Sequence, residues 1–196
     1  QVIRHHPESG LVDLPTVRLS YARTMRGITI RPTTEDDWEA IRALRLEMIR
    51  DTPMAYAEHL HDAEQLDEAE WRARGRRGQD AGGTSVVAID ADGRWVGAMG
   101  AFVPDEATGP LLVGVYVAPS HRGRGAGVAD RLLDAIDSWA AERGPTLRLH
   151  VHERNERAQA FYARRGFRPT GATEPYVLAP EERELEMIRD LGGVSS

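Results

Sequence analysis

The hydrophobic residues of this chain recur at two spacings, which separate predicted strands from predicted helices. Alternating or continuous apolar runs predict strands over residues 27–32, 84–89, 95–103, 111–117, 146–152 and 184–191. Apolar positions three and four apart predict helices after Thr34, near Gly127 and from Asn155, and a charged helical stretch over 57–76. These two spacings therefore predict a chain in which strands and helices are interspersed.

The order of these elements predicts a single α/β domain. Several strands come first, and a strand, helix, strand, helix and strand follow, an order typical of a mixed sheet covered by helices. Residues 1–25 show no clear period, so we expect them to form an N-terminal extension to a domain over residues 26–196. The total of 196 residues fits one domain.

Composition excludes several classes of protein. The formal net charge of −6 argues against a nucleic-acid binder, which is normally basic. No apolar run is long enough for a membrane helix, and residues 1–10 do not resemble a secretory signal, so we expect a cytoplasmic protein without a membrane partner. The chain has no cysteine, which excludes disulfides, thiolate metal sites and a covalent cysteine intermediate.

A glycine-rich turn between a predicted strand and a predicted helix is the first candidate binding site. Three glycines fall between Gly123 and Gly127, directly before the helical stripe. The free N–H groups and the positive dipole end of a helix N-terminus attract anions, and glycine lets a ligand approach the backbone closely. Arg122 and Arg124 add donors suited to phosphate, so the turn predicts a diphosphate site.

Three phosphate-binding patterns compete for this turn. A Walker A loop needs a lysine, and the chain contains none. The dinucleotide fingerprint needs glycine or alanine where Val128 stands, and an acidic residue on the next strand, which carries His150 and His152 instead. The third pattern, R/Q-x-x-G-x-G/A of acyl-coenzyme-A binders, is met by residues 122–127.

With that signature the chain resembles the GNAT superfamily of acetyl-CoA-dependent N-acetyltransferases. A second match, "NERAQAFYARRGF" over residues 155–167, is similar to the N-x-x-A-x-x-x-Y-x-x-x-G-F element of that family. The resemblance covers roughly residues 26–192. It implies an α/β fold with a mixed, mainly antiparallel central sheet flanked by helices, and acetyl-CoA as the donor of an acetyl group.

The resemblance also implies roles for individual residues. Backbone groups of Val115, Tyr116 and Val117 would pair with the pantetheine arm, and the Val117 N–H would polarise the thioester carbonyl. Asn155 would contact the cofactor arm and Tyr162 would protonate the sulfur of coenzyme A as general acid. The diphosphate would be bound by the main-chain amides of Arg122, Gly123, Arg124, Gly125, Ala126 and Gly127.

The general base is open among three candidates, His150, Glu153 and ordered water. An imidazole has an ordinary pKa of about 6.5 and suits proton abstraction near neutrality. His150 and His152 share one strand face, either as part of the site or as an ordinary, partly exposed pair. Two histidines without a third ligand nearby do not predict a metal site.

The acceptor is expected to be a primary amine, with a small molecule favoured over a protein. The substrate-selecting segments implied by the resemblance are residues 50–65 and 171–184, whose acidic side chains could attract a cation: Asp51, Glu58, Asp62 and Glu64. A homodimer is a further expectation. Two alternatives remain: an acyl-CoA-binding regulatory or assembly module without turnover, and a nicotinamide-dependent enzyme.

Overall fold

The computed structural model describes residues 27–123, 125 and 127–192. The predicted N-terminal extension over residues 1–25 lies outside the described residues, as do Arg124 and Ala126 of the glycine-rich turn. The predicted fold class is confirmed: a mostly antiparallel sheet is flanked by helices.

The sheet has seven strands in the described part of the chain, in the spatial order β1-β2-β3-β4-β5-β7-β6. The strands are β1 (Thr29–Pro32), β2 (Gly83–Ile89), β3 (Trp95–Phe102), β4 (Leu111–Val117), β5 (Thr146–His152), β6 (Arg168–Tyr176) and β7 (Ala179–Asp190). Neighbouring strands pair antiparallel except β4 and β5, which are parallel. The alternation of strand directions is therefore interrupted between β4 and β5, and the glycine-rich turn follows the end of β4.

Besides four short 3₁₀-helices, the described residues form five α-helices. They are α1 (Trp38–Asp51), α2 (Leu60–Gln65), α3 (Glu68–Arg76), α4 (Val128–Ala141) and α5 (Glu156–Arg164). The helical stripe of α4 is buried in the core, with Leu132, Leu133 and Ile136 fully inaccessible to solvent. α4 packs on β2 and β3, so its first turn is placed beside the end of β4.

The prediction of one helical stretch over residues 57–76 was wrong, because two helices occupy it. Leu66 is extended, and Asp67 begins a new helix as its N-cap, with its carboxylate accepting a hydrogen bond from Glu70 N–H at 2.9 Å. The Glu70 carboxylate accepts in return from the Asp67 N–H at 2.9 Å. Such a reciprocal capping box satisfies two donors at a helix start, so it favours a new N-terminus over a continuous helix.

The strand β6 was not predicted, and β7 begins at Ala179 rather than at residue 184. All of β6 except Tyr176 is exposed, and the strand contains Pro169 and Pro175. An exposed edge strand needs no apolar alternation and tolerates proline, so the pattern that predicted the other strands is missing here. The hairpin of β6 and β7 closes the edge of the sheet next to β5.

The described residues hold no helix with the length and apolar character that crossing a membrane requires. They also contain no group of three or more histidine or acidic side chains placed to hold a metal ion.

Candidate functional site

The site begins where β4 and β5 separate. The two strands pair at only two positions, Leu111 with Arg148 and Leu112 with Leu149. Beyond these two positions β4 and β5 no longer pair, so a gap opens in the middle of the sheet. The gap exposes backbone along one side of β4 and side chains at the end of β5.

A bulge in β4 accompanies this separation. β3 pairs Ala98 with Tyr116 and Gly100 with Val113, so two residues of β4 lie opposite one residue of β3. Gly114 is one of these two residues of β4, and its φ is +60°. A left-handed φ is costly for any residue with a Cβ, so glycine at this position allows the bulge. The bulge ends the regular alignment of β4 next to the gap.

A cleft of about 330 Å³ fills the gap. Its wall includes most of the site residues predicted from the sequence: Val115, Tyr116, Val117, Arg122, Gly123, His150, Asn155 and Tyr162. Gly125 and Gly127 belong to the adjoining loop and not to the cleft wall. The structure therefore brings together side chains from two motifs that are separated by about thirty residues.

The backbone of β4 presents alternate residues to the cleft. The Ala118 N–H donates to the Val96 carbonyl on β3 at 2.8 Å. Because backbone groups alternate between the two neighbours of a strand, those of Val117 and Val115 turn towards the cleft and those of Tyr116 towards β3. The predicted role of the Tyr116 backbone thus has less support than that of its two neighbours.

Two side chains already bind the carbonyl groups on this edge. The Tyr56 hydroxyl donates to the Val115 carbonyl at 3.1 Å, and the Arg122 Nε donates to the Val117 carbonyl at 2.7 Å. The N–H groups of the two valines are the remaining donors on this edge. They match the acceptor-rich amides and carbonyl of an acyl-pantetheine arm.

The Arg122 guanidinium lies away from the glycine-rich loop. Besides its bond to Val117, it forms an ion pair with Asp51 at the end of α1 and lies 5.6 Å from the ring centre of Tyr116. Burial opposes ionisation of Asp51, but hydrogen bonds from Arg122 and Thr52 lower the pKa of that carboxyl. The Arg122 side chain therefore joins β4 to α1, so the predicted phosphate contact would have to come from the Arg122 backbone.

The loop at the other end of the cleft keeps the features of an anion site. Gly127 is the N-cap of α4 with a φ of +61°. A Cβ placed on Gly123 or Gly125 would meet no atom within 4 Å, so the space in front of this loop is open. The loop thus offers room and the positive end of a helix of 14 residues.

Tyr162 lies in the wall of the cleft and is only 5% exposed. Its ring packs between Phe161 and Phe167, with ring centres 5.4 and 5.6 Å away. Burial alone raises the pKa of its hydroxyl, and no hydrogen bond fixes that hydroxyl within the described part of the chain. The side chain is therefore a protonated donor without a competing partner.

Asn155 is the N-cap of α5, and its side-chain oxygen accepts from the Ala158 N–H at 3.2 Å. Asn155 also lines the cleft. The asparagine thus fixes the start of the helix that carries Tyr162, and a cofactor contact stays a prediction.

The two histidines of β5 differ in their surroundings. The side chain of His152 is fully buried, with Nε2 2.6 Å from a Glu182 oxygen and its ring edge-on to Tyr176. The His150 ring is 29% exposed and lies in the cleft, with one nitrogen 3.7 Å from Glu174 and the other 3.8 Å from Glu186. Both histidines line the cleft, but the His152 side chain is inaccessible to solvent, so His150 is the one of the two that a substrate could reach.

Glu153, the other protein candidate for the base, is exposed and absent from the cleft wall. Its carboxylate accepts from the Arg183 N–H at 3.0 Å, at the outer end of β7. The geometry therefore gives Glu153 less support than His150.

Glu184 is a cleft residue that the sequence analysis included only as the end of the substrate-selecting segment 171–184, without a role of its own. It lies on β7 directly opposite His152, and it is in no ion pair among the described residues. Burial and the neighbouring Glu174 raise the pKa of its carboxyl, while His150 and His152 act in the opposite direction. Glutamates occur at alternate positions along β7, so the sequence alone does not indicate which of them faces the cleft. The pairing of Glu184 with His152 of β5 places it there.

The acetyltransferase (GNAT) family matches residues 42–167, which include β4, the glycine-rich loop and α5. The chain belongs to the acetyltransferase (GNAT) family. The GNAT match thus covers both motifs and every predicted cleft residue.

Individual relatives match more limited parts of this GNAT chain. It is 38% identical to a mycothiol acetyltransferase of Beutenbergia cavernae over 93 residues, which are 46% of this chain and 30% of that protein. It is 32% identical to an uncharacterized N-acetyltransferase of Mycobacterium tuberculosis over 109 residues, 55% of this chain and 67% of that protein. The chain therefore spans less than a third of the first relative.

A solved structure agrees with the fold over most of the chain. An acetyltransferase from Salmonella typhimurium, solved with its cofactor acetyl-CoA, superposes with a TM-score of 0.67. The superposition covers 86% of this GNAT chain and 96% of that one, at 20% identity. At this identity the comparison supports the fold alone.

Proposed function

We propose that this protein transfers the acetyl group of acetyl-CoA directly onto a primary amine of a small molecule. The observation that carries the proposal is the cleft between β4 and β5, which runs from the glycine-rich loop at one end to His150 and Glu184 at the other. A donor and an acceptor could enter from opposite ends and meet beside Tyr162. Such a ternary arrangement brings the reacting atoms together without a covalent enzyme intermediate.

The donor would lie along β4. The N–H groups of Val115 and Val117 would bind its pantetheine arm, and the loop from Gly123 to Gly127 would bind its diphosphate. The Val117 N–H would hold the thioester carbonyl and stabilise the oxyanion that develops when the amine attacks. These groups are backbone donors fixed by the sheet, so they require little rearrangement during the reaction.

Tyr162 would supply the proton for the departing sulfur. A thiolate with an ordinary pKa of about 8.5 leaves more readily when it is protonated. Burial of Tyr162 keeps the phenol protonated, and no hydrogen bond with the described residues competes for its proton. General acid catalysis of this kind typically contributes a factor of about 10² to 10⁴.

His150 would accept the proton of the amine. A free alkylamine has a pKa of about 10.4, so it must lose a proton before or during attack. His150 is accessible in the cleft, and Glu174 and Glu186 lie within 4 Å of its two ring nitrogens. Glu184 is the second candidate for this role, because its carboxylate lines the same end of the cleft.

Two further observations bear on the reaction class. The chain has no cysteine, so acetyl transfer through a thiol of the enzyme has no nucleophile. One relative is named for the acetylation of mycothiol, which favours a small acceptor here as well. We therefore place a protein acceptor second.

The test is release of coenzyme A, followed with a thiol reagent, across a panel of small primary amines and a peptide amine. The proposal expects thiol release that depends on acetyl-CoA, on the amine and on Tyr162. Tight binding of acetyl-CoA with no release for any amine would instead support a regulatory module. Thermal stabilisation by NAD and none by acetyl-CoA would support the nicotinamide alternative.

A further inference from the structure

A second cavity adjoins the cleft. It has a volume of about 950 Å³ and lies between α1, the end of α3 and strands β2 to β4. Val113 and Gly114 line both spaces, so the bulge of β4 is their common wall. A molecule in this cavity could therefore extend one end towards the reacting centre.

The walls of the cavity contain a fixed set of charges. Glu58 accepts two hydrogen bonds from Arg74, at 2.6 and 3.1 Å, and one from Arg45 Nε at 2.8 Å. Arg45 lies 4.8 Å from the ring centre of Tyr56, and Arg74 lies 4.7 Å from that of Trp71. One carboxylate thus holds two arginines in place and cannot neutralise both of them.

A third arginine, Arg77, lines the same cavity. Among the described residues it forms no ion pair, and Asp80 in the cavity wall is not within 4 Å of its guanidinium. Loss of hydration and the positive charges of Arg74 and Arg45 lower the pKa of Arg77, and Asp80 and Glu58 offset only part of this effect, so three guanidinium groups face two carboxylates. The cavity therefore has excess positive charge, which favours an anionic ligand.

Most acidic side chains of residues 50–65 are held in ion pairs with arginines. These side chains were candidates for attracting a cation, but Asp51 pairs with Arg122, Glu58 with Arg45 and Arg74, and Glu64 with Arg50. The charge that these pairs leave unbalanced beside the cavity is positive. Asp62, the fourth candidate, is exposed, forms no ion pair with the described residues and lines neither the cavity nor the cleft, whereas Glu184 lines the cleft.

Much of the remaining cavity wall is apolar, although Thr33, Thr84 and Ser85 also line it. Met48 and Val113 line it, and Phe102 is 39% exposed there, as is Val113. A large apolar side chain that is exposed within a concave surface is typical of a ligand site. The cavity thus combines an apolar floor with guanidinium donors at one side.

We propose that the acetyl acceptor is an amine whose other end carries an oxyanion, a carboxylate or a phosphate, bound by Arg77 and Arg45 in this cavity. The inference rests on the proposed function. The apolar body of the acceptor lies over Phe102 and Val113, and its amine passes Gly114 into the cleft. Guanidinium groups bind both oxyanions through paired hydrogen bonds, so the two chemistries share one site.

The experiment compares amines that differ only at the far end. kcat/KM is measured with ε-aminocaproate, hexylamine, hexamethylenediamine and aminopentylphosphonate. We expect the two anionic amines to exceed hexylamine by about tenfold, and hexamethylenediamine to be the poorest, since one charge-assisted contact has about this effect. Whichever anion is preferred identifies the oxyanion.

Variants of Arg77 assign the effect to the cavity. Arg77→Gln lowers kcat/KM for the anionic amines to about that for hexylamine, and Arg77→Glu makes the diamine the better substrate. The matched control is Arg76→Gln, because Arg76 is the adjacent arginine, pairs with Glu35 and does not line the cavity. Equal kcat/KM for the anionic and neutral amines, or a preference that survives in both Arg77 variants, overturns the inference.

A binding measurement separates this inference from the proposed reaction. Calorimetry with N-acetyl-aminocaproate and with hexanoate needs no turnover. Binding that is lost in Arg77→Gln but kept in Arg76→Gln supports the anion site even if no amine releases coenzyme A. Turnover of hexylamine together with no binding of either carboxylate contradicts the anion site and leaves the acetyltransferase proposal intact.

Discussion

Replacing Gly114 by alanine tests the bulge on which the cleft depends. A Cβ at this position would meet no atom within 4 Å, so the substitution introduces no collision. The φ of +60° is the single obstacle, and a left-handed conformation costs an L-residue roughly 1–2 kcal/mol. Alanine also restricts the unfolded chain, which offsets part of that cost by about 0.4–1 kcal/mol.

We therefore expect Gly114→Ala to lower the free energy of unfolding by about 1 kcal/mol, with a fall in Tm of about 2–4 °C for a chain of this size. Gly114→Asn should cost less, because asparagine tolerates the left-handed region better than alanine. The measurement is urea unfolding followed by circular dichroism. Gly82→Ala is the matched control, since Gly82 has equally open surroundings and a φ outside the left-handed region.

The same variant has a functional consequence. A bulge that relaxes to avoid the left-handed φ would turn the Val115 N–H away from the cleft, so the KM for acetyl-CoA should rise. The left-handed bulge and its role in the site would be refuted by three results together. These are a Gly114→Ala variant as stable as the wild type, a Gly114→Asn variant no more stable than Gly114→Ala, and an unchanged KM for acetyl-CoA.

Three further predictions concern the cleft. Tyr162→Phe should lower kcat by about 10²-fold or more with little change in acetyl-CoA affinity by calorimetry, and equal losses in both would indicate a packing role. His150→Gln should remove the acidic limb of the kcat/KM profile, in which activity falls as the base takes up a proton at low pH. If Glu184→Gln removes that limb instead, Glu184 is the base, and its raised pKa would put the limb above the ordinary glutamate value of about 4.3. Gly125→Glu should weaken acetyl-CoA binding by at least tenfold, because a carboxylate would face the diphosphate, whereas Gly125→Gln should weaken it much less; equal binding by both variants would place the diphosphate elsewhere.

The sequence predicted best the elements whose side chains are buried on one face. α4 shows a clear helical stripe because Leu132 and Ile136 are fully buried, and the central strands show apolar runs for the same reason. The break at Asp67 depends on a local cap within a charged stretch, and β6 is an exposed edge. Neither element carries the apolar periodicity by which the others were predicted.

The candidate site was predictable where a motif specifies backbone geometry. Gly127, at the end of the first motif, is the N-cap of α4, and Asn155, at the start of the second, is the N-cap of α5. Pairings between distant side chains were not predictable, because no local spacing encodes them. The contact of Arg122 with Asp51 and the position of Glu184 beside His152 depend on strand order and register, which only the folded chain defines.

The two residue pairs that join β4 to β5 have a mechanical consequence. Few interstrand hydrogen bonds join β1 to β4 with β5 to β7 at this seam. Helix packing must therefore contribute much of the stability that holds the two parts of the sheet together. A ligand lying along β4 would supply hydrogen bonds where β4 and β5 do not pair. Its arrival should slow hydrogen exchange on both flanks of the seam at once and couple cofactor concentration to the rigidity of the entire sheet.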